Sequence, residues 1–86
     1  MQLEAGKGRR FAILDAADNV ATLLDDETDS CRLGNGLEIE LGIPFGHKVS
    51  LAAMDEGAAI IKYGVSIGTA TQPISCGAHV HVHNCR

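Results

Sequence analysis

The feature that most constrains the fold is the final octet, His79-Val80-His81-Val82-His83-Asn84-Cys85-Arg86, where three of the chain's four histidines alternate with valine. Successive side chains of a β-strand point to opposite faces. A strand would therefore send Val80 and Val82 into a core and line the other face with His79, His81, His83 and Cys85. In a helix the same residues would scatter around the circumference, and β-branched valine disfavours that state. The pattern predicts a terminal strand presenting a row of imidazoles.

Imidazole is a common metal ligand and acid–base group near neutral pH. At about 3.3 Å of rise per residue, His79 and His83 would lie roughly 13 Å apart. One ion with metal–nitrogen bonds of about 2 Å does not gather all three rings from a straight strand. Two neighbours such as His81 and His83 can converge on it. Further ligands would come from His47, Cys76, Cys85, an acidic residue or a second polypeptide. A solvated polar face is the competing reading of the same row.

Length and charge bound the rest. Eighty-six residues make one small domain, which buries only about 60–65% of its unfolded surface and leaves little depth for an enclosed cleft. A net charge of −4 argues against a nucleic-acid partner. Lys7, Arg9 and Arg10 read as solvated basic residues beside a flexible tail over residues 1–9, with the folded domain spanning 10–86. Three cysteines without C-x-x-C spacing exclude a zinc ribbon or a thioredoxin-type motif. With no signal peptide and no apolar run of about 20 residues, the chain reads as a reduced cytoplasmic protein without a membrane partner.

Along the chain, Phe11–Leu14 and Val20–Leu24 read as short strands. Asp25–Ser30 reads as an acidic loop whose carboxylates are either a solvated turn or a weak attraction for a hard cation. Gly34-Asn35-Gly36 signals a tight turn. Leu37-Glu-Ile-Glu-Leu41 alternates cleanly and makes the firmest strand prediction, with Leu37, Ile39 and Leu41 inward. His47–Ala52 alternates too, placing His47 with Val49 and Leu51, and Lys48 with Ser50 opposite. Ala58–Lys62 and Ser66–Ala70 follow as strands around a Tyr63-Gly64 turn. Residues 19–26 and 47–56 share an apolar run ending in an acidic turn, a weak internal echo. The sum is an all-β domain of about seven short, bent strands.

The segments Ile43-Pro-Phe-Gly-His-Lys-Val-Ser-Leu51, Ile61-Lys-Tyr-Gly64, Ile67-Gly-Thr-Ala70 and Gly77-Ala-His-Val-His-Val-His-Asn84 occur in the order and spacing of one family. They resemble the SAF-type (antifreeze-like) β-clip domain of altronate and galactarate dehydratases, and equally the small subunit of sulfolactate sulfo-lyase. The resemblance covers nearly the whole chain from Phe11 onward. It implies a small SAF-like β-clip serving as accessory subunit or N-terminal domain of a sugar-acid hydro-lyase, inactive alone. The reaction needs a base for the proton α to a carboxylate, stabilisation of the enediolate, and an acid or metal for the leaving group.

What the resemblance implies for the site is a divalent metal, foremost Fe²⁺ with Mn²⁺ or Zn²⁺ as alternatives, at His81 and His83. His47 and Lys48 take catalytic roles, and Lys62 and Asn84 contact the substrate, Asn84 alternatively capping the strand. The implied partners are a large catalytic subunit or domain and a small hydroxy acid; a homo-oligomer is also compatible. Two other functions stay open, a sulfolactate sulfo-lyase subunit and a non-catalytic module binding carbohydrate acids or metal.

Overall fold

The structure, a computed structural model, describes residues 8–86 and the backbone of residues 2–3. It contains β1 (Gln2–Leu3), β2 (Phe11–Ile13), β3 (Val20–Leu23), β4 (Lys48–Ser50), β5 (Ala59–Lys62), β6 (Val65–Thr69) and β7 (His79–Val80). The first four and β7 form one antiparallel sheet in the order β1-β2-β3-β4-β7, and β5 and β6 form a hairpin. The chain is a small all-β domain, as expected. Among the described residues no helix is long and apolar enough to cross a membrane.

The central strand shows why Val20-Ala-Thr-Leu23 is almost continuously apolar: both of its faces are covered. Ala21 and Leu23 pack into one core with Phe11, Leu33, Ile39, Ile43 and Val49. Val20, pointing the other way, joins a second core with Met54, Ile60, Ala70, Ile74 and Val80. The register carries these faces across the sheet. Ala21 pairs with Val49, which pairs with His79; Thr22 pairs with Lys48, which pairs with Val80. Partners directly opposite share a face, so His79 stands on the face of the first core and Val80 on that of the second.

Three expectations fail. Leu37–Leu41 is not a strand. Its backbone crosses several neighbours in turn: Leu37 C=O accepts from Leu33 N–H, Ile39 N–H donates to Cys31 C=O, and Glu40 N–H donates to Gly77 C=O. With pairing shared among segments, only an isolated bridge from Arg32 to Glu38 forms, and Leu41 is 58% exposed rather than inward. The terminal strand ends at Val80, two residues after it begins, and Val82 is 82% exposed.

Arg9, assigned to the tail, is fully buried. Its Nε lies 2.9 Å from Asp25 Oδ1, Nη2 donates to Asp25 C=O at 2.7 Å, and Nη1 donates to the carbonyl of Ile43. The folded domain therefore includes Arg9, and Gln2–Leu3 pairs with β2. Residues 1 and 4–7 of the expected tail lie outside the described residues.

The internal echo exists, but between other segments. Residues 50–60 and 70–80 repeat one geometry around a pseudo-twofold relation. Met54 and Ile74 exchange both backbone hydrogen bonds at 2.8 Å. Gly57 N–H donates to Ala70 C=O as Gly77 N–H donates to Ser50 C=O, and Ala70 N–H donates to Ala58 C=O as Ser50 N–H donates to Ala78 C=O. Gly57 and Gly77 carry matching φ values of 88° and 86°. Their surroundings differ: a Cβ on Gly57 meets nothing within 4 Å, whereas on Gly77 it runs into the Glu38 carbonyl.

This pair gives a controlled prediction. Gly57→Ala carries only the left-handed backbone penalty, about 1 kcal/mol. Gly77→Ala adds a steric clash of roughly 1–3 kcal/mol. Chemical denaturation of both variants checks the ordering; equal destabilisation would contradict it.

Candidate functional site

The histidines gather by register, not along one strand. Val49 faces His79 across the β4–β7 ladder, so the same register carried one step further sets His47 opposite His81. Both pairs then share the face of the first core. The backbone agrees at His47, whose C=O accepts from Leu23 N–H at 3.0 Å. The rings of His47 and His81 stack with centroids 4.1 Å apart and planes 20° apart. His47 Nδ1 and His79 Nε2 lie 2.9 Å apart, so one nitrogen donates and the other is bare.

One ring nitrogen from each of His47, His79 and His81 comes together, all within 4.8 Å of one another. All three side chains are half-buried. Nitrogens bound to one ion at about 2 Å in a tetrahedral arrangement sit roughly 3.3 Å apart. Small ring rotations close the difference once the His47–His79 hydrogen bond gives way. The donor set, three imidazoles with no thiolate, suits Zn²⁺, Fe²⁺ and similar ions rather than Mg²⁺ or Ca²⁺. The residues therefore fit a divalent transition metal.

Asn84 sets where the strand stops. It is buried, its Oδ1 accepts from His81 N–H at 3.0 Å, and its Nδ2 donates to His79 C=O at 2.9 Å. Cys85 N–H then donates to His81 C=O at 2.9 Å, closing a turn. A side-chain amide thus takes the place of a continuing ladder partner. Of the two roles anticipated for Asn84, the capping geometry is present, and both its amide atoms are engaged in it.

The turn also directs His83 away. It is exposed, with its ring 5.3 Å from that of His79 but outside the three-nitrogen group. His79, which the sequence placed in the row without a ligand role, takes that position. Its involvement required knowing that β7 pairs with β4.

Lys48 sits on β4 opposite Val80, and its charge acts on His81. Lys62 lies at the end of β5, where its Nζ is 4.8 Å from the Tyr63 ring centroid. Among the described residues it shares no hydrogen bond or ion pair with the histidines. The acidic loop is engaged elsewhere. Burial pushes the Asp25 carboxyl up, but hydrogen bonds from Arg10 N–H, Arg9 and Glu27 N–H, with the Arg9 charge, hold it below the usual carboxylate range. Asp26 accepts from Phe45 N–H at 3.1 Å.

Partial desolvation and then the His47 and His83 rings pull His79 below the ordinary imidazole range, partly opposed by Glu40. Partial desolvation, His47, Lys48 and His83 pull His81 the same way. Near neutral pH both rings are therefore neutral, the form that binds metal. A histidine depressed in the folded state stabilises above its unfolded pKa of about 6.5, and that contribution is lost as pH falls through the folded value. The metal-free melting temperature should drop as pH falls below about 6.5. His79→Gln should flatten that segment; an unchanged profile would count against the coupling.

Residues 9–86 match the family described as the altronate/galactarate dehydratase SAF domain. The chain is 40% identical over 81 residues to altronate dehydratase of Bacillus subtilis (strain 168), covering 91% of this chain and 16% of that protein. It is 37% identical over 80 residues to altronate dehydratase of Escherichia coli (strain K12), covering 90% and 16%. To the (2R)-sulfolactate sulfo-lyase subunit alpha of Chromohalobacter salexigens it is 33% identical over 86 residues, covering 88% of this chain and 92% of the subunit. The chain thus spans about one sixth of the altronate dehydratases it matches and nearly all of the sulfo-lyase subunit.

Proposed function

We propose, from the premise that this chain belongs to the altronate/galactarate dehydratase SAF-domain family, that it is the accessory small unit of a sugar-acid hydro-lyase. It contributes a three-histidine half-site to a catalytic centre completed by a larger subunit or domain. The observation that carries this reading is the convergence of His47, His79 and His81 on one point within the matched residues. The short coverage of the dehydratase relatives supports a larger partner, because most of each relative lies outside the matched region.

In this reading His47, His79 and His81 hold a divalent cation, Fe²⁺ first and Mn²⁺ or Zn²⁺ as alternatives. When bound, such an ion supplies Lewis acidity toward a hydroxyl leaving group or a carboxylate oxygen. The chain's residues supply the remaining functions. Lys48, opposite Val80 on β4 and so on the other face of the sheet from the histidines, would offer its cation to a substrate carboxylate only around the sheet edge. Asn84 fixes the backbone of His79 and His81, and so the direction of their rings. Lys62 and His83, outside the cluster, would reach substrate only across the interface with the larger partner.

A second reading has its own support. The sulfo-lyase subunit alpha is matched over 92% of its length, so in this reading the same half-site is presented by a separate subunit in an enzyme that expels sulfite instead of water. The two readings share the histidine cluster and differ in the partner and the leaving group.

Two measurements test the proposal. Calorimetric titration of the chain with Zn²⁺ or Mn²⁺, or with Fe²⁺ under anaerobic conditions, should show 1:1 binding. His47→Ala and His81→Ala should each weaken it at least tenfold, while His83→Ala leaves it within about twofold. Co-expression with a large subunit of either enzyme type should yield 2-keto acid from an aldonate or aldarate, or sulfite from sulfolactate. The chain alone should give none. Turnover by the isolated chain would overturn the accessory role.

A further inference from the structure

The segment that fails to form a strand, residues 37–41, lies along the outer edge of β7, the last strand of the five-stranded sheet. Glu40 is bonded to that edge at both ends. Its N–H donates to Gly77 C=O at 2.8 Å, and its Oε2 accepts from His79 N–H at 2.8 Å. Gly77 in turn leaves no room for a Cβ against the Glu38 carbonyl. The loop is thus seated on the strand that presents His79 and His81, with the Glu40 carboxylate at the first of these histidines.

A divalent cation among His47, His79 and His81 would gain no charge from three neutral imidazoles. Glu40 is the carboxylate bonded to the His79 backbone. Its second oxygen, Oε1, has no hydrogen-bond partner among the described residues.

We infer that Glu40 is a positioning and charge-balancing residue for the histidine cluster, fixing the His79 backbone and adding a negative charge beside three neutral imidazoles so that they can hold a divalent cation. The inference rests on the proposed cation site and adds to it a residue outside the ligand set. Partners of metal-ligating histidines typically change affinity 10–100-fold when altered.

The test is Zn²⁺ titration of the full 86-residue chain at low and high ionic strength. Glu40→Gln keeps an oxygen that accepts from His79 N–H but removes the charge. It should melt close to the wild type and bind Zn²⁺ about tenfold more weakly, and that gap should narrow as NaCl rises from about 0.05 to 0.5 M. If the glutamine variant folds poorly, Glu40→Asp serves instead: with the charge retained it should bind within threefold of wild type, and a larger loss overturns the inference. Binding by Glu40→Gln within twofold of wild type, or a deficit indifferent to salt, overturns the role of Glu40 and leaves the cation site standing. No binding by the wild type overturns both.

Discussion

The structure depends on one buried guanidinium. Arg9 is inaccessible to solvent and joins three parts of the chain: its own position before β2, the Asp25 loop after β3, and the Ile43 turn that leads into His47. Its backbone is engaged as well, with N–H donating to Arg32 C=O and C=O accepting from Gly34 N–H. A buried charge is tolerated only when paired and fully hydrogen-bonded. In a domain with little apolar area to spare, that requirement turns a potential liability into a geometric constraint. The acidic loop and the histidine-bearing turn are held where Arg9 can be satisfied.

From that anchor the register of the sheet determines where chemistry can occur. One face of β3 and β4 is filled by Ala21, Leu23 and Val49. The same face continues across the ladder to His79, and one step further along to His47 beside His81. The cluster therefore stands where the apolar face of the sheet runs out. It is half-buried, which lowers the proton affinity of His79 and His81, yet open on one side. That combination is neutral imidazoles held by a rigid ladder at the edge of the core.

The pseudo-twofold repeat shows one scaffold used for two ends. Gly57-Ala58-Ala59-Ile60 and Gly77-Ala78-His79-Val80 follow the same path, and Ile60 and Val80 enter the same core. Position 59 is alanine and opens the β5–β6 hairpin, whereas position 79 is histidine and enters the cluster. What distinguishes them is the neighbour: the Glu38–Glu40 segment packs on Gly77 and His79, while nothing lies within reach of a Cβ on Gly57.

Local sequence determined what depends on side-chain alternation and turn chemistry. β2, β3, β4 and the β5–β6 hairpin follow from short apolar runs bounded by turn residues, and the alternation about His47 placed it on the face of Val49. The family was legible in the ordered motifs around Gly46-His47-Lys48, Ile61-Lys-Tyr-Gly64 and His79–Asn84. Tertiary structure decided the rest. Alternation in Leu37–Leu41 could not show that its backbone would be divided among three neighbours. The valines of the terminal row could not show that the Asn84 amide would end the strand at Val80. A charged residue near the N-terminus carries no mark of burial, because the partners of Arg9 lie 16 and 34 positions away. For the same reason the histidine cluster was hidden: it joins residues 32 apart, and only the pairing of β4 with β7 brings them within reach.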